Sequence, residues 1–133
     1  ILFVAALFIF PTGCKMSPEE KSKKIHHIVS KRLALTPKQQ ADLKVLTDQA
    51  VADFKIVDGD RKTLGIELER QILSEKADTE AIKKIVSEQN TRRNAMAIKW
   101  TDLIAEFHAT LSQDQKKKAL KMIQRFREQF EQW

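Results

Sequence analysis

Cysteine, glycine and proline are scarce in this chain of 133 residues, which has one Cys, three Gly and three Pro. A single Cys excludes an internal disulfide framework. So few helix breakers, beside plentiful Ala, Lys, Gln, Glu and Leu, disfavour turn-rich β architectures and favour long uninterrupted helices. The sequence has no Gly-rich phosphate loop and no zinc-finger, helix-turn-helix or RNA-binding signature. Aromatics are not interleaved with the basic runs as a single-strand binder requires. Nucleic acid is therefore not an expected partner, despite a formal net charge of +6. No nucleophile has a plausible base, and no metal-hydrolase spacing occurs. The carboxylates Asp58 and Asp60 fall in a turn-like triplet with Gly59 and nothing indicates their burial. Neither an enzyme nor a cofactor is expected.

The length suits one domain, and the composition an all-α one. Charge is unevenly placed. Residues 15–41 carry seven Lys/Arg against two Asp/Glu, residues 42–80 six against ten, and residues 81–133 eleven against six. A basic balance at both ends points to anionic headgroups or acidic protein partners.

Ile1 to Phe10 contains no polar side chain. Ten residues span only ~15 Å as a helix, about half of a bilayer core, which suits the apolar part of a secretory signal better than a transmembrane anchor. The next residues, Pro11-Thr12-Gly13-Cys14, resemble a bacterial lipobox, although Pro11 stands where Leu is usual. The reading is a signal peptide over residues 1–14 with Cys14 as a lipidation site, followed by one all-α domain over 15–133. Lys15 after the cysteine, in place of Asp, favours the outer membrane over inner-membrane retention.

Four helices are expected. Ser17-Pro18-Glu19-Glu20 is a helix start, opening a short basic helix to about Arg32 with Ile25, Ile28, Val29 and Leu33 as its stripe. The second helix starts at Thr36 and carries Leu43, Leu46, Ala50, Phe54, Val57, Leu64, Leu68 and Ile72 on one face. That stripe keeps phase across Gly59 and Gly65, so one helix to about Lys76 is expected, bent at Gly59. Asp78 or Thr79 caps the third, whose face reads Ile82, Ile85, Gln89, Arg92 or Arg93, Met96, Trp100, Leu103, Phe107 and Leu111. The fourth begins at Ser112, with Leu120, Ile123, Phe126, Phe130 and Trp133 apolar and Lys116, Lys117, Lys118, Lys121, Arg125 and Arg127 opposite. Helices two and three are joined by a few residues and must be antiparallel neighbours. An elongated hairpin with short flanking helices leaves apolar surface exposed, so a homodimer is expected.

Two stretches repeat one pattern: Leu35-Thr36-Pro37-Lys38-Gln39 and Leu111-Ser112-Gln113-Asp114-Gln115. In each a hydroxyl can cap a new helix while a Gln three residues on reaches back, which is a capping box. The pair resembles the Leu-Thr-x-x-Gln motifs of the Spy/CpxP group of small periplasmic helical proteins, with Ser112 for Thr in the second copy. The resemblance covers about residues 17–130. It implies a cradle-shaped antiparallel dimer in the periplasm that binds unfolding or partly folded proteins without ATP on a basic and apolar concave face, as a chaperone or stress-response protein. The face would draw on Ile28, Lys31, Arg32, Arg92, Arg93, Met96, Lys99 and Trp100. Relatives of the ZraP and CnrX type bind zinc, nickel or cobalt, which makes a heavy-metal sensor or resistance protein, with a sensor-kinase or metal-ion partner, the alternative. The only histidines here are His26, His27 and His108. Adjacent His26 and His27 point about 100° apart on a helix, and no His-x3-His pair exists, so no dedicated metal site is expected. A structural lipoprotein tethering envelope layers is the third possibility.

Overall fold

Each helix begins where a capping residue meets the chain. A computed structural model describes residues 16–131, with side chains to Glu128; Cys14, the apolar leader, the Phe130 side chain and Trp133 lie outside the described residues. The helices are α1 (Pro18–Leu33), α2 (Pro37–Ile72), α3 (Thr79–Thr110) and α4 (Gln113–Glu131). Ser17 caps α1 by a reciprocal box: Glu20 N–H donates to Ser17 Oγ (3.2 Å) and Ser17 N–H to Glu20 Oε2 (2.7 Å). Thr36 and Gln39 do the same for α2, with Pro37 at the first position. Asp78 Oδ1 accepts from Ala81 N–H (3.1 Å) to start α3.

α2 is one helix of 36 residues, about 54 Å long at 1.5 Å per residue. It passes through Asp58-Gly59-Asp60 without interruption, and it ends at Ile72, four residues before the expected Lys76. Ser74 stops it: its N–H and Oγ both donate to the Gln71 carbonyl (3.2 and 2.7 Å) and its Oγ also reaches Lys76 O, drawing the chain into the turn before Asp78.

α2 and α3 run antiparallel, α1 folds back along α2, and α4 packs on α1. The core gathers where the four helices meet. Ile25, Val29 and Leu33 of α1, Leu35 of the first corner and Leu43 of α2 are buried there, flanked by Leu46, Phe107, Leu111, Ala119 and Met122. Complete burial of such a side chain stabilises by about 2 kcal/mol. α4 differs from its expected apolar face. Ala119 and Met122 turn inward, whereas Leu120 and Ile123 stay 54% and 42% exposed.

Beyond that end only α2 and α3 continue, and their tip is braced by a charge cluster. Arg70 donates to both oxygens of Glu67 (2.6 and 3.0 Å), and Gln71 Nε2 adds a third bond (2.6 Å). The Arg70 hydrogen bonds, then that from Gln71, hold the Glu67 carboxyl down at about 2.

Two outcomes are expected. A Cβ at Gly59 or Gly65 meets nothing within 4 Å, so Gly59→Ala and Gly65→Ala should each raise stability by up to ~1 kcal/mol in urea denaturation. A lowered midpoint would show that something packs on that face in solution. Because Glu67 is more acidic folded than unfolded, its stabilisation is present above its ordinary value of 4.5 and disappears as pH falls toward about 2. Glu67→Gln should flatten the stability profile across that window, measured by thermal melts between those pH values.

Candidate functional site

The two repeated motifs, 76 residues apart in sequence, meet at one point. Gln39 Nε2 donates to Gln115 Oε1 (3.0 Å), and Gln115 Nε2 donates to Gln39 Oε1 (2.9 Å). Each carboxamide has a second donor and a second lone pair. Gln39 donates to Thr110 O (2.7 Å), the last carbonyl of α3, and Gln115 to Ala34 O (3.3 Å), just past α1. In return Gln39 Oε1 accepts from Thr36 N–H (3.0 Å) and Gln115 Oε1 from Ser112 N–H (2.9 Å). Both side chains are buried and use their full hydrogen-bonding capacity. One pair of amides thus closes the N-terminal ends of α2 and α4 and the C-terminal ends of α1 and α3, four places where helices leave backbone groups unpaired. Ser112 Oγ accepts from Gln115 N–H (3.2 Å), as Thr36 Oγ1 does from Gln39 N–H (3.3 Å), so the Ser-for-Thr change keeps the cap. Leu35 is buried beside the pair and Leu111 half-buried.

Farther out, polar groups hold α2 to α3. Asp53 accepts from the buried Trp100 Nε1 (2.7 Å) and from Gln49 Nε2 (2.7 Å), and Lys99 Nζ donates to Gln49 Oε1 (2.7 Å). Gln89 Nε2 donates to the Asp60 carbonyl (2.6 Å), and Arg92 pairs with Asp60 Oδ1. That contact raises the Arg92 guanidinium above its ordinary value. Asp60 is 7% exposed, correcting the expectation that this carboxylate lies unburied in a bend, and its Oδ2 has no hydrogen-bond partner. At the tip, Asp78 N–H donates to Gln71 Oε1 (2.5 Å).

The residues expected to bind clients fall in two groups. Arg92, Met96, Lys99 and Trp100 lie along one stretch of α3, with Arg93 exposed beside them. Trp100 is buried against Asp53, Met96 is half-buried, and Arg92 and Lys99 are tied to α2. Ile28 is half-buried on α1, whose last turn carries the exposed Lys31 and Arg32. α1 itself joins the core at Leu43 through Val29 and Leu33, roughly 25 Å along α2 from Asp60. The histidines are also dispersed: His26 Nε2 bonds the Gln40 carbonyl (2.8 Å), while His27 and His108 are exposed on α1 and α3. Among the described residues no group of three His, Cys, Asp or Glu side chains is placed to hold a metal ion.

Sequence reasoning gave each motif Gln only its local cap and missed their mutual pairing. The signal was the hairpin itself, since a turn near residue 75 sets position 39 opposite position 111. Asp60 was also legible, because it sits three residues after Val57 and four before Leu64, in phase with the apolar stripe.

Removing either amide strands buried partners. Gln39→Ala and Gln115→Ala should each destabilise by about 1–3 kcal/mol, and the double variant should lose at least ~0.5 kcal/mol less than the two losses added together. Strict additivity in chemical denaturation would show that the two amides act separately.

Similarity to known proteins agrees with this geometry. No match was found among curated proteins or among solved structures. The family model described as "LTXXQ motif family protein" matches residues 21–122, from the second turn of α1 to the inward face of α4, and so takes in both corners and the whole hairpin. The chain belongs to the LTXXQ motif family, the Spy/CpxP type, whose members are periplasmic and generally non-enzymatic.

Proposed function

We propose that this protein is an ATP-independent holdase of the cell envelope, binding unfolding proteins on the hairpin arm. The observation that carries the reading is the apolar surface left open along that arm. Ile66 is 68% exposed, Ile72 81% and Leu73 89%, with Ile56, Leu68 and Val86 exposed as well. Large aliphatic side chains exposed at several positions of one arm offer contact points for another apolar surface. The paired basic and acidic groups between these positions, such as Lys62 with Asp58 (2.6 Å) and Lys83 with Glu80 (2.8 Å), keep the arm soluble.

The physics suits holding better than folding by force. A two-helix arm has no cavity to enclose a client, so contact is made by scattered aliphatic patches. Each patch contributes a few kcal/mol at most, which permits release without nucleotide. A homodimer fits the same surface. A second copy laid antiparallel on one face of the arm would leave the other face for clients and give the cradle outline expected from the family resemblance. Acylation of Cys14 would fix the protein to the membrane, with the outer membrane favoured by Lys15. The metal-sensor and tethering alternatives have no comparable observation in their favour.

The protein should suppress aggregation of a chemically denatured client, followed by light scattering, at near-stoichiometric ratios and without ATP. Ile66→Asp combined with Leu68→Asp should reduce that suppression severalfold while leaving helicity unchanged by circular dichroism. Wild-type protein that fails to suppress at severalfold excess removes the holdase reading. Sedimentation equilibrium of the same preparations reports whether a dimer forms and whether it is lost with the activity.

A further inference from the structure

The charge of this molecule is segregated by helix. α2 and α3 together carry eleven Lys/Arg and eleven Asp/Glu, and are neutral. α1 and α4 carry eleven Lys/Arg against five Asp/Glu, which accounts for the whole formal net charge of +6. Pairing follows the same division. The ion pairs of Lys44, Lys55, Arg61, Lys62, Arg70, Lys83 and Arg92 all take their basic partner from α2 or α3. On α1, Lys23, Lys24 and Lys31 are exposed and in no ion pair, and on α4 the same holds for Lys117, Lys118 and Lys121. The acids of α1 are engaged at its start, Glu20 in the cap of Ser17 and Glu19 with Lys55 (2.6 Å).

α4 packs directly on α1, so the two basic helices adjoin. α4 adds an apolar component. Its inward face is spent on Ala119 and Met122, yet Leu120 and Ile123 remain outside, between turns of Lys. Aliphatic side chains on a strongly basic helix face fit the boundary between anionic headgroups and acyl chains, where the amines meet phosphates and the aliphatics enter the apolar edge.

We infer that the outward faces of α1 and α4 form a docking surface for anionic phospholipid headgroups. Charge complementarity favours lipid over an acidic protein because the positive charge is spread over two adjoining helices and accompanied by shallow aliphatics. Chain length is consistent with it. Ser17, the cap of α1, is three residues from Cys14, so at most about 11 Å separates the start of α1 from the position expected to carry an acyl group. The inference does not depend on what the arm binds.

The test uses the chain from Met16 onward, which contains every helix, cap and interhelical contact described, so that no acyl group contributes. Its helicity is checked by circular dichroism, and binding is read by co-sedimentation with vesicles. Vesicles of phosphatidylcholine mixed with phosphatidylglycerol should bind it, and pure phosphatidylcholine should not. Binding should fall by at least roughly tenfold between ~0.05 and ~0.5 M NaCl, as screening shortens the reach of the charges. Each Lys near an anionic surface contributes roughly fivefold in affinity, so Lys117→Gln, Lys118→Gln and Lys121→Gln together should weaken binding on the order of a hundredfold. Lys62→Gln with Lys83→Gln on the arm should change nothing. Leu120→Ser with Ile123→Ser should weaken binding without altering its salt dependence. Absence of binding, equal binding to neutral vesicles, or undiminished binding by the triple Gln variant overturns the proposal. Salt-sensitive retention on polyglutamate without vesicle binding also overturns it, and assigns the face to an acidic protein. Client aggregation is a separate readout, so this surface and the holdase reading fail independently.

Discussion

Two buried glutamine amides, locked face to face, set the conditions for everything else in this fold. Four helix ends converge on one point, and each brings backbone donors or acceptors that its own helix cannot satisfy. Water could serve them individually, but the point is sealed by Leu33, Leu35 and Leu43. Only a side chain offering two donors and two acceptors in a plane meets the need, and two of them, related by a local pseudo-two-fold, meet it completely. Glutamate would bring two negative charges together and donate nothing. Asparagine lacks the methylene that lets an amide cap its own helix and still reach across. Ala34 bears part of the strain of this arrangement. It holds a left-handed conformation (φ 49°) that a residue with a Cβ adopts at about 1–2 kcal/mol, and it does so where its carbonyl can meet Gln115.

Concentrating the closure at one end decides how the rest is stabilised. The aliphatic core is built beside the amide pair, and past the N-terminus of α1 the chain has no third helix to offer. The distal hairpin therefore relies on hydrogen bonds between its two helices at Asp53, Asp60, Gln89 and Gln71. Ile56, Ile66, Leu68 and Val86 are left outward, while Val57, Leu64, Ile82 and Ile85 are half-buried beside those polar bonds. This division between an apolar closed end and a mixed seam departs from the usual helical pair, whose seam is apolar throughout. It also explains why the two halves differ electrostatically. The arm balances its own charges in local pairs, while α1 and α4 pack through aliphatic contacts and keep an excess of basic residues.

Legibility in the sequence followed the same division. Helix starts were plain because each rests on a hydroxyl or carboxylate followed by its partner three residues later, a local signal. Helix order, the antiparallel hairpin and most of the core followed from stripe phase and short connections. The misreadings came where tertiary demand overrode local propensity. Asp58-Gly59-Asp60 reads locally as a solvated bend, yet Gln89 and Arg92 of the opposite helix hold Asp60 in the seam of the continuous helix that stripe phase indicated. On α4, hydrophobicity pointed to Leu120 and Ile123, while the face packed on the core carries Ala119 and Met122. Which face of a helix meets its neighbour is not written in that helix alone. The set expected to bind clients was assembled from charge and apolarity without distance, and it divided once α1 and α3 took separate places.

A polar seam also accounts for how such an arm can present aliphatic surface and remain a defined structure. A pair of helices joined by leucines can slip by a turn, about 5.4 Å, and lose little, because one leucine replaces another. Here a one-turn slip would separate Asp60 from Arg92, Trp100 from Asp53 and Gln39 from Gln115 at once, leaving buried polar groups without partners at a penalty of about 1–3 kcal/mol each. Register is thus held by groups that gain nothing from the outer aliphatics. Those side chains are released from any structural duty and can meet another surface, or leave it, without disturbing the helices that carry them.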